Sequence, residues 1–242
     1  MSATFPGLEE QWLRLEAVSR ATAAIIPGGH TSFLRTHLKN LIWPFLRQAV
    51  RVPRDASSIE AAIRLAPEWP PANIIVSAGT YCEHLIVTKP VALVGEGRPV
   101  LACADGETLV HFQSNVEPAP ELVGFSLRSR STCVLVEQGR PRIRRCTITS
   151  TEGHGILVKS TARPSVWHSE FHEHRKAAIA FRDQAGGEVC KNSFTGNAGH
   201  GVVIHGSASP LVEGNDFAAH GSPAVVVRGQ ATAVIRENHF RD

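Results

Sequence analysis

Three histidines and a glutamate are spaced closely enough to be considered as metal ligands. His168, His172 and His174 lie in the segment HSEFHEH, around Glu170. Zinc sites use imidazole and carboxylate ligands, but the ligand atoms must converge on one point. The repeat described below spreads these residues over a strand and a bend. We therefore predict a solvated, histidine-rich coil and no metal or other cofactor.

A pair of carboxylates is the second candidate for chemistry. Glycoside hydrolysis usually needs two carboxyl groups about 5 to 9.5 Å apart. Glu170 and Asp216 are two repeats apart, with Ser193 between them. Stacked strands spaced at about 4.8 Å would separate the two acids by about 9.6 Å, which is marginal for an inverting pair. We interpret both as solvated surface groups and assign no catalytic residue.

The densest basic segment contains Arg140, Arg142, Arg144 and Arg145. Such a segment could contact phosphate or an acidic protein. The formal net charge is only +3, and no aromatic residues are interleaved with the arginines. No nucleic-acid-binding module is recognisable, so we predict no nucleic-acid partner.

The elements that position these residues follow from a regular sequence repeat. Its copies begin at residues 141, 164, 187, 210 and 233, which gives a 23-residue period. A fixed period of this length is typical of solenoids. With the first residue of each copy as register 0, registers 2, 7, 15 and 17 are apolar throughout. Registers 2 and 7 contain Ile143, Val166, Val189, Val212, Ile235, Ile148, Phe171, Phe194, Phe217 and Phe240.

Short β-branched runs separated by Gly, Ser and Asn predict strands. One copy cannot bury its own inner face, so copies must stack with parallel strand pairing. Parallel crossovers are almost always right-handed. The predicted fold class is therefore an all-β solenoid, a single-stranded right-handed parallel β-helix with about 23 residues per coil over residues 67–242. Asn192, Asn215 and Asn238 at register 5 predict a structural ladder at a bend.

The N-terminal segment 1–66 is predicted to be helical. Apolar spacing indicates helices over residues 8–26 and 31–50 and a short third helix from Ser58 to Ala66, followed by a strand from Asn73 to Ser77. An open apolar solenoid end needs a cover, so residues 1–66 are predicted to be a helical cap rather than a separate binding domain. The last repeat stops partway through its coil, at Asp242, and self-association at that end is a further expectation.

The outward face of the strand at registers 14 to 18 is the candidate binding surface. Strand alternation sends registers 16 and 18 outward. Register 16 is apolar and register 18 is cationic or histidine, and carboxylates are absent from both. This arrangement fits an acidic protein segment, or alternatively an acidic polysaccharide, while cover by a loop or helix remains an open interpretation of the apolar row. The predicted partner-binding residues are Leu157, Lys159, Ala180, Arg182, Val203, His205, Val226 and Arg228.

Composition limits the location of the protein. The five cysteines include no CxxC pair and lie mostly in apolar runs, which predicts buried free thiols in a reducing compartment. No stretch resembles a signal peptide or a membrane span. We expect a cytoplasmic or nuclear protein with no membrane partner.

The segment IIVSAGTYCEHLIVTKPVALVGEG, from Ile74 to Gly97, resembles the opening coil of the pectin-lyase-like β-helix superfamily. With the 23-residue repeats, the resemblance covers residues 52–242. The preceding phrase RVPRDASSIEAAIRLAP is similar to the β-helices of F-box-only ubiquitin-ligase adaptors and related intracellular scaffold proteins. This resemblance implies substrate recruitment in ubiquitination, although residues 1–50 contain no F-box pattern.

The catalytic motifs of pectin-lyase-like enzymes are incomplete here. Polygalacturonases combine Gly-His-Gly with Asn-Thr-Asp and a double Asp; the chain has Gly-His-Gly at residues 153–155 and 199–201 but neither acidic motif. Both triplets occupy the same register, which indicates a repeated turn before a strand. We therefore predict a non-catalytic scaffold that recognises a protein, with a pectin-lyase-like hydrolase, lyase, esterase or binder of acidic polysaccharide as the alternative.

Overall fold

The computed structural model describes residues 49–68 and 71–241. In these ranges the chain forms 24 strands, β1 to β24, and one helix, α1 (Ile59–Leu65). The strands build three parallel sheets, named A, B and C here. Sheet A contains β1 (Ala49–Val52), β2 (Asn73–Val76), β5 (Ala92–Gly95), β8 (Glu121–Val123), β11 (Arg142–Arg144), β14 (Ser165–Trp167), β17 (Gly186–Cys190), β20 (Ser209–Glu213) and β23 (Val234–Arg236).

Sheets B and C complete each coil. Sheet B contains β3 (Thr80–Tyr81), β6 (Val100–Cys103), β9 (Ser126–Ser129), β12 (Thr147–Ser150), β15 (Glu170–His172), β18 (Ser193–Thr195), β21 (Asp216–Ala218) and β24 (His239–Arg241). Sheet C contains β4 (Leu85–Val87), β7 (Val110–Phe112), β10 (Val134–Val136), β13 (Ile156–Val158), β16 (Ile179–Phe181), β19 (Val202–Ile204) and β22 (Val225–Val227).

Strand pairing confirms the predicted parallel β-helix. From Arg142 onward, every strand pairs with the equivalent strand of the next coil in the register of the sequence repeat, as in the pairing of Ile143 with Val166. The apolar columns point inward and form one continuous core along the stack. Phe194 is fully buried and stacks on the phenylalanines of the coils on either side, with ring centroids 4.7 and 4.6 Å apart. In the last coil Ile235 and Phe240 are 40% and 54% exposed.

The asparagine ladder is structural, as predicted. Asn192, Asn215 and Asn238 each accept a hydrogen bond at Oδ1 from the backbone N–H one coil earlier, at distances of 2.9 to 3.0 Å. Their amide nitrogens donate to backbone carbonyls of sheet A. The ladder therefore satisfies backbone groups at the buried bend between sheets A and B.

The stack begins earlier than the predicted boundary at residue 67. Strand β1 pairs in register with β2, although residues up to 50 were predicted to be helical. A strand of four residues is too short to be distinguished from the end of an apolar helix by periodicity. The predicted helix over residues 8–26, and residues 31–48 of the predicted helix over residues 31–50, lie outside the described residues.

Helix α1 matches the predicted third helix. Ser58 is its N-cap, and the Ser58 hydroxyl accepts a hydrogen bond from the Ala61 N–H at 3.0 Å. The buried side of α1 carries Ile59, Ala62 and Ile63. Within the described part of the chain, no helix has the length and hydrophobicity needed to cross a membrane.

The cysteines differ from the prediction of free thiols. Cys133 and Cys146 are buried free thiols, and burial raises their pKa to about 12 and about 11. Cys82 and Cys103 instead form a disulfide between two adjacent coils. Their sequence separation of 21 departs from the repeat register, which is why the pairing was missed.

Candidate functional site

The outward face of sheet C presents two parallel columns of side chains. Cross-strand pairing places the central residues of its strands in one column: Ile86, His111, Leu135, Leu157, Ala180, Val203 and Val226. The second column contains residues that directly follow these strands: Gln113, Glu137, Lys159, Arg182, His205 and Arg228. We call these the central column and the polar column.

The eight predicted residues lie in these two columns, but the apolar row is less open than expected. Ala180 is only 2% exposed and is therefore too buried to be a contact residue. Leu157, Val203 and Val226 are half-buried. A ligand on this face would therefore touch a shallow apolar row rather than a protruding one.

The cationic residues of the polar column differ from many other arginines of the chain. Arg182 and Arg228 are exposed and Lys159 is half-buried, and none of them forms an ion pair with a described residue. On sheets A and B, by contrast, carboxylates neutralise Arg142, Arg144, Arg236 and Arg241. From Lys159 onward, the cations of the polar column are thus free of ion pairs with the described carboxylates and can meet a ligand.

One hydrogen-bonded group on this face was not predicted. His111 Nε2 lies 2.9 Å from Glu137 Oε2, and the Gln113 side-chain amide donates to His111 Nδ1 at 2.9 Å. Because the Gln113 amide nitrogen can only donate, His111 Nδ1 must accept. The proton of the neutral His111 ring therefore lies on Nε2, which donates to the Glu137 carboxylate. The arrangement joins the central and polar columns and could transfer a proton.

A groove of about 530 Å³ lies beside this group, at the bend between sheets C and A. It is a recess because the bend between β10 and β11 is shorter than the bends of the coils before and after it. Glu137 is the only carboxylate among the described lining residues. The groove is lined by Asn115, Glu137, Gln138, Gly139, Arg140, Ser160, Thr161 and Arg163.

The basic segment is divided between two roles. Arg142 and Arg144 bind the two oxygens of the Glu121 carboxylate, at 3.2 and 2.7 Å. Arg140 lines the groove. Two of the four arginines of the predicted patch thus share one carboxylate, and a third, Arg140, contributes to the polar recess.

The histidine-rich segment does not form a solvated coil throughout. His174 is fully buried, and its Nε2–H donates to the Ile148 carbonyl at 3.0 Å. Burial lowers the pKa of His174 to about 4. His172 instead lies against Thr149 on the outside of sheet B. Because His174 points into the core and His172 points outward, their imidazoles do not converge on one point.

The two predicted surface acids have partners of their own. Glu170, Ser193 and Asp216 stack in one column of sheet B, as expected. Asp216 forms an ion pair with Arg241, and Glu170 accepts a hydrogen bond from Thr147 at 3.2 Å. These contacts are typical of a surface ladder.

The glycine triplets serve close packing. A Cβ added to Gly153 or Gly199 would lie 2.3 or 2.0 Å from the backbone of the preceding coil. Burial lowers the pKa of His154, whose Nδ1 contacts the Ala177 carbonyl at 3.3 Å. The triplets are tight bends before sheet C strands, in agreement with the sequence analysis.

The missed residues lie where the coil length changes. Val110 pairs with Val134 and Val134 pairs with Ile156, so one of these coils is longer than the sequence repeat and the next is shorter. A register extrapolated backward from the regular repeats does not place His111 beside Glu137. The only sequence signal for this pair was that a polar residue, His111, lies in the otherwise apolar strand β7.

Comparison with known protein families supports the architecture. The sequence matches the family described as "Right handed beta helix region" over residues 111–242. The solved structure of rice weevil pectin methyl esterase is similar, with a TM-score of 0.45 and 9% sequence identity; the match covers 78% of this chain and 89% of that chain. A comparison with curated proteins finds no match.

Proposed function

Because the chain belongs to the right-handed beta-helix family, whose stacked coils repeat one face many times, we propose that it is a non-catalytic recognition module. Its ligand is an extended acidic segment of a protein partner, bound along the outward face of sheet C. The observation that carries the proposal is that Lys159, Arg182 and Arg228, beside a shallow apolar column, form no ion pair with any carboxylate of the described residues.

An extended peptide fits both columns. Registers 16 and 18 lie about 7 Å apart on one face, and alternate side chains of a peptide point in opposite directions. A peptide along the solenoid axis can therefore direct apolar side chains to the central column and carboxylates to the polar column. Charge complementarity of this kind contributes specificity and association rate.

The preference for a protein partner rests on the resemblance to F-box-only adaptors. Recruitment of a ubiquitination substrate, and a cytoplasmic or nuclear location, are parts of this proposal that follow from that resemblance. They are independent of the charge argument, which requires only an acidic, partly apolar segment.

A charge-reversal experiment tests the face. The probe is a fluorescent peptide that alternates Glu and Leu, and its affinity is measured by anisotropy. Exposed ion pairs contribute about 0.2 to 1 kcal/mol each, so R182E/R228E should weaken binding about tenfold. Arg128→Glu is the matched control, because Arg128 is exposed on sheet B, and should change affinity by less than about twofold. Equal weakening by both variants would reject the face.

Acidic polysaccharide is the second candidate, and the groove favours it. Amide, hydroxyl and guanidinium groups line that recess, and they suit the hydroxyl and carboxylate groups of a uronic acid. Arg163→Gln should then abolish binding of an oligogalacturonate measured by calorimetry, while peptide binding stays unchanged. Cleavage or de-esterification of polyuronates that disappears in Glu137→Gln would overturn the non-catalytic assignment.

A further inference from the structure

A second cluster of functional side chains lies far along the chain from the proposed face. Two adjacent coils each supply a cysteine followed closely by another potential ligand: Cys82 with His84, and Cys103 with Asp105. The two cysteines are joined as a disulfide with Cα atoms 4.9 Å apart. Ligand atoms of His84, Cys103 and Asp105 lie within 4.8 Å of one another.

The imidazole and the carboxylate are held in a ligating orientation. His84 Nδ1 donates to the Thr108 carbonyl at 2.9 Å, which leaves Nε2 directed at Asp105. Asp105 Oδ1 accepts from the Glu107 N–H at 3.2 Å, and Oδ2 lies 2.8 Å from His84 Nε2. A ligating histidine is usually oriented toward its metal by a hydrogen bond from its other ring nitrogen, and a ligating carboxylate by hydrogen bonds to its oxygens.

The cysteine side of the cluster is also anchored. Glu83, between Cys82 and His84, accepts hydrogen bonds from the Ile59 and Glu60 N–H groups at 3.0 and 2.8 Å. These N–H groups belong to the first turn of α1, where no helical carbonyl can accept from them. The segment that carries two of the four groups is therefore fixed to the helix.

We propose that Cys82, His84, Cys103 and Asp105 form a Zn²⁺ site when the Cys82–Cys103 disulfide is reduced. A dithiol or phosphine reductant supplies two electrons, and two protons are taken up as the S–S bond breaks. Zn²⁺ then displaces the proton of each thiol and the proton between His84 Nε2 and Asp105 Oδ2. The reductant leaves as its own disulfide or as a phosphine oxide, with water as the oxygen source.

The ligand set selects zinc. Two thiolates, an imidazole and a carboxylate are a closed tetrahedral set of the kind found in structural zinc sites. With Zn–S bonds of about 2.3 Å, tetrahedral thiolates lie about 3.8 Å apart, a distance that two cysteines with Cα atoms 4.9 Å apart can span. His84 and Asp105 are 30% and 51% exposed in their side chains, which leaves a path from solvent.

The site would join the two coils under reducing conditions. In an oxidising compartment the disulfide holds Cys82 and Cys103 together; in a reducing one the metal does so. The sequence analysis predicts a reducing compartment, and that prediction stays untested. The zinc proposal does not depend on the partner-binding face.

The test uses the full chain, with and without reduction by a phosphine. Zn²⁺ is titrated against a chromophoric chelator, and Co²⁺ is added separately as a spectroscopic probe. We expect one Zn²⁺ per reduced chain, at least about 100-fold weaker binding to the oxidised chain, and thiolate-to-cobalt charge transfer in the Co²⁺ complex. Cys82→Ser should weaken binding to the reduced chain about 100-fold, and Asp105→Asn at least about tenfold.

Cys190→Ser is the matched control, because Cys190 is a half-buried free thiol outside the cluster. It should leave zinc affinity unchanged. Cys82 and Asp105 are exposed, so their variants keep the core, and circular dichroism checks that they fold. Equal zinc binding before and after reduction, loss of binding in Cys190→Ser, or a Co²⁺ complex without thiolate bands would overturn the proposal.

Discussion

Replacing Asn215 with alanine removes one rung of the asparagine ladder. The Asn215 side chain is 1% exposed. Its Oδ1 accepts from the backbone and side-chain nitrogens of Asn192, at 2.9 and 3.0 Å. Its amide nitrogen donates to the Val189 carbonyl at 2.8 Å and to Asn238 Oδ1 at 2.9 Å. Alanine at this position can form none of these four bonds.

The expected cost follows from what each partner retains. The buried Asn192 backbone N–H loses its partner, which costs about 2 kcal/mol, and the bonds with the Asn192 side chain and the Val189 carbonyl contribute about 1 kcal/mol each. The bond to Asn238 Oδ1 is only part-buried, in the last coil, and adds little. The Asn192 amide keeps its bond to the Val166 carbonyl, so it is not stranded. Asn215→Ala should therefore lower the free energy of unfolding by about 4 kcal/mol.

Asn215→Ser provides a graded control taken from the same column. Ser169 occupies this register one coil before Asn192, and its hydroxyl accepts from the Cys146 N–H at 3.2 Å. A serine at 215 should restore the backbone bond, so we expect a loss of about 2 kcal/mol.

Urea unfolding followed by far-ultraviolet circular dichroism measures these losses, provided that the dependence of the free energy of unfolding on urea concentration is the same in all variants. Native-state hydrogen exchange at the Asn192 amide gives a local measurement that does not depend on two-state unfolding. The reasoning fails if Asn215→Ala costs less than about 1 kcal/mol, or if serine and alanine are equally destabilising.

Two further predictions concern acid stability and helix capping. His174 is buried and its pKa is about 4, below the unfolded value of about 6.5. Its contribution to the free energy of unfolding is therefore complete above pH 6.5 and is lost as the pH falls toward 4. The free energy of unfolding should fall by about 3 kcal/mol over this pH range. Urea midpoints measured from pH 7 to 4 should therefore depend less on pH in His174→Gln than in the unsubstituted protein. Ser58→Ala should cost about 1 kcal/mol by thermal unfolding, whereas Ser57→Ala, just outside the cap, should cost nothing measurable.

The core could be predicted because one period governs most of it. Ile143, Val166 and Val189 are fully buried in one column, as their common register requires. Inward direction depends only on strand alternation and on the spacing between copies, and both are visible in the sequence. The outward positions were located by the same rule, which carries no information about how deeply a residue such as Ala180 is buried.

The failures have a different origin. His174 was placed outside because a bend was expected to be solvated, yet its ring turns inward and donates to the Ile148 carbonyl. The disulfide was missed because the spacing of Cys82 and Cys103 departs from the repeat, and β1 because it is short and adjoins an apolar segment. Periodicity carries no information about a coil whose length differs from the period.

The groove and the cysteine cluster lie where the period is broken, and there is a physical reason for this. Coils of equal length stack similar residues on one another, which produces ladders but no recess. A bend that is shorter than its neighbours leaves a gap, as between β10 and β11, and the groove beside Glu137 occupies it. The shortened spacing of the two disulfide-bonded cysteines likewise brings Cys103, His84 and Asp105 together at one edge. In this β-helix the irregular coils are therefore where localised chemistry should be sought, while the regular coils provide an extended surface.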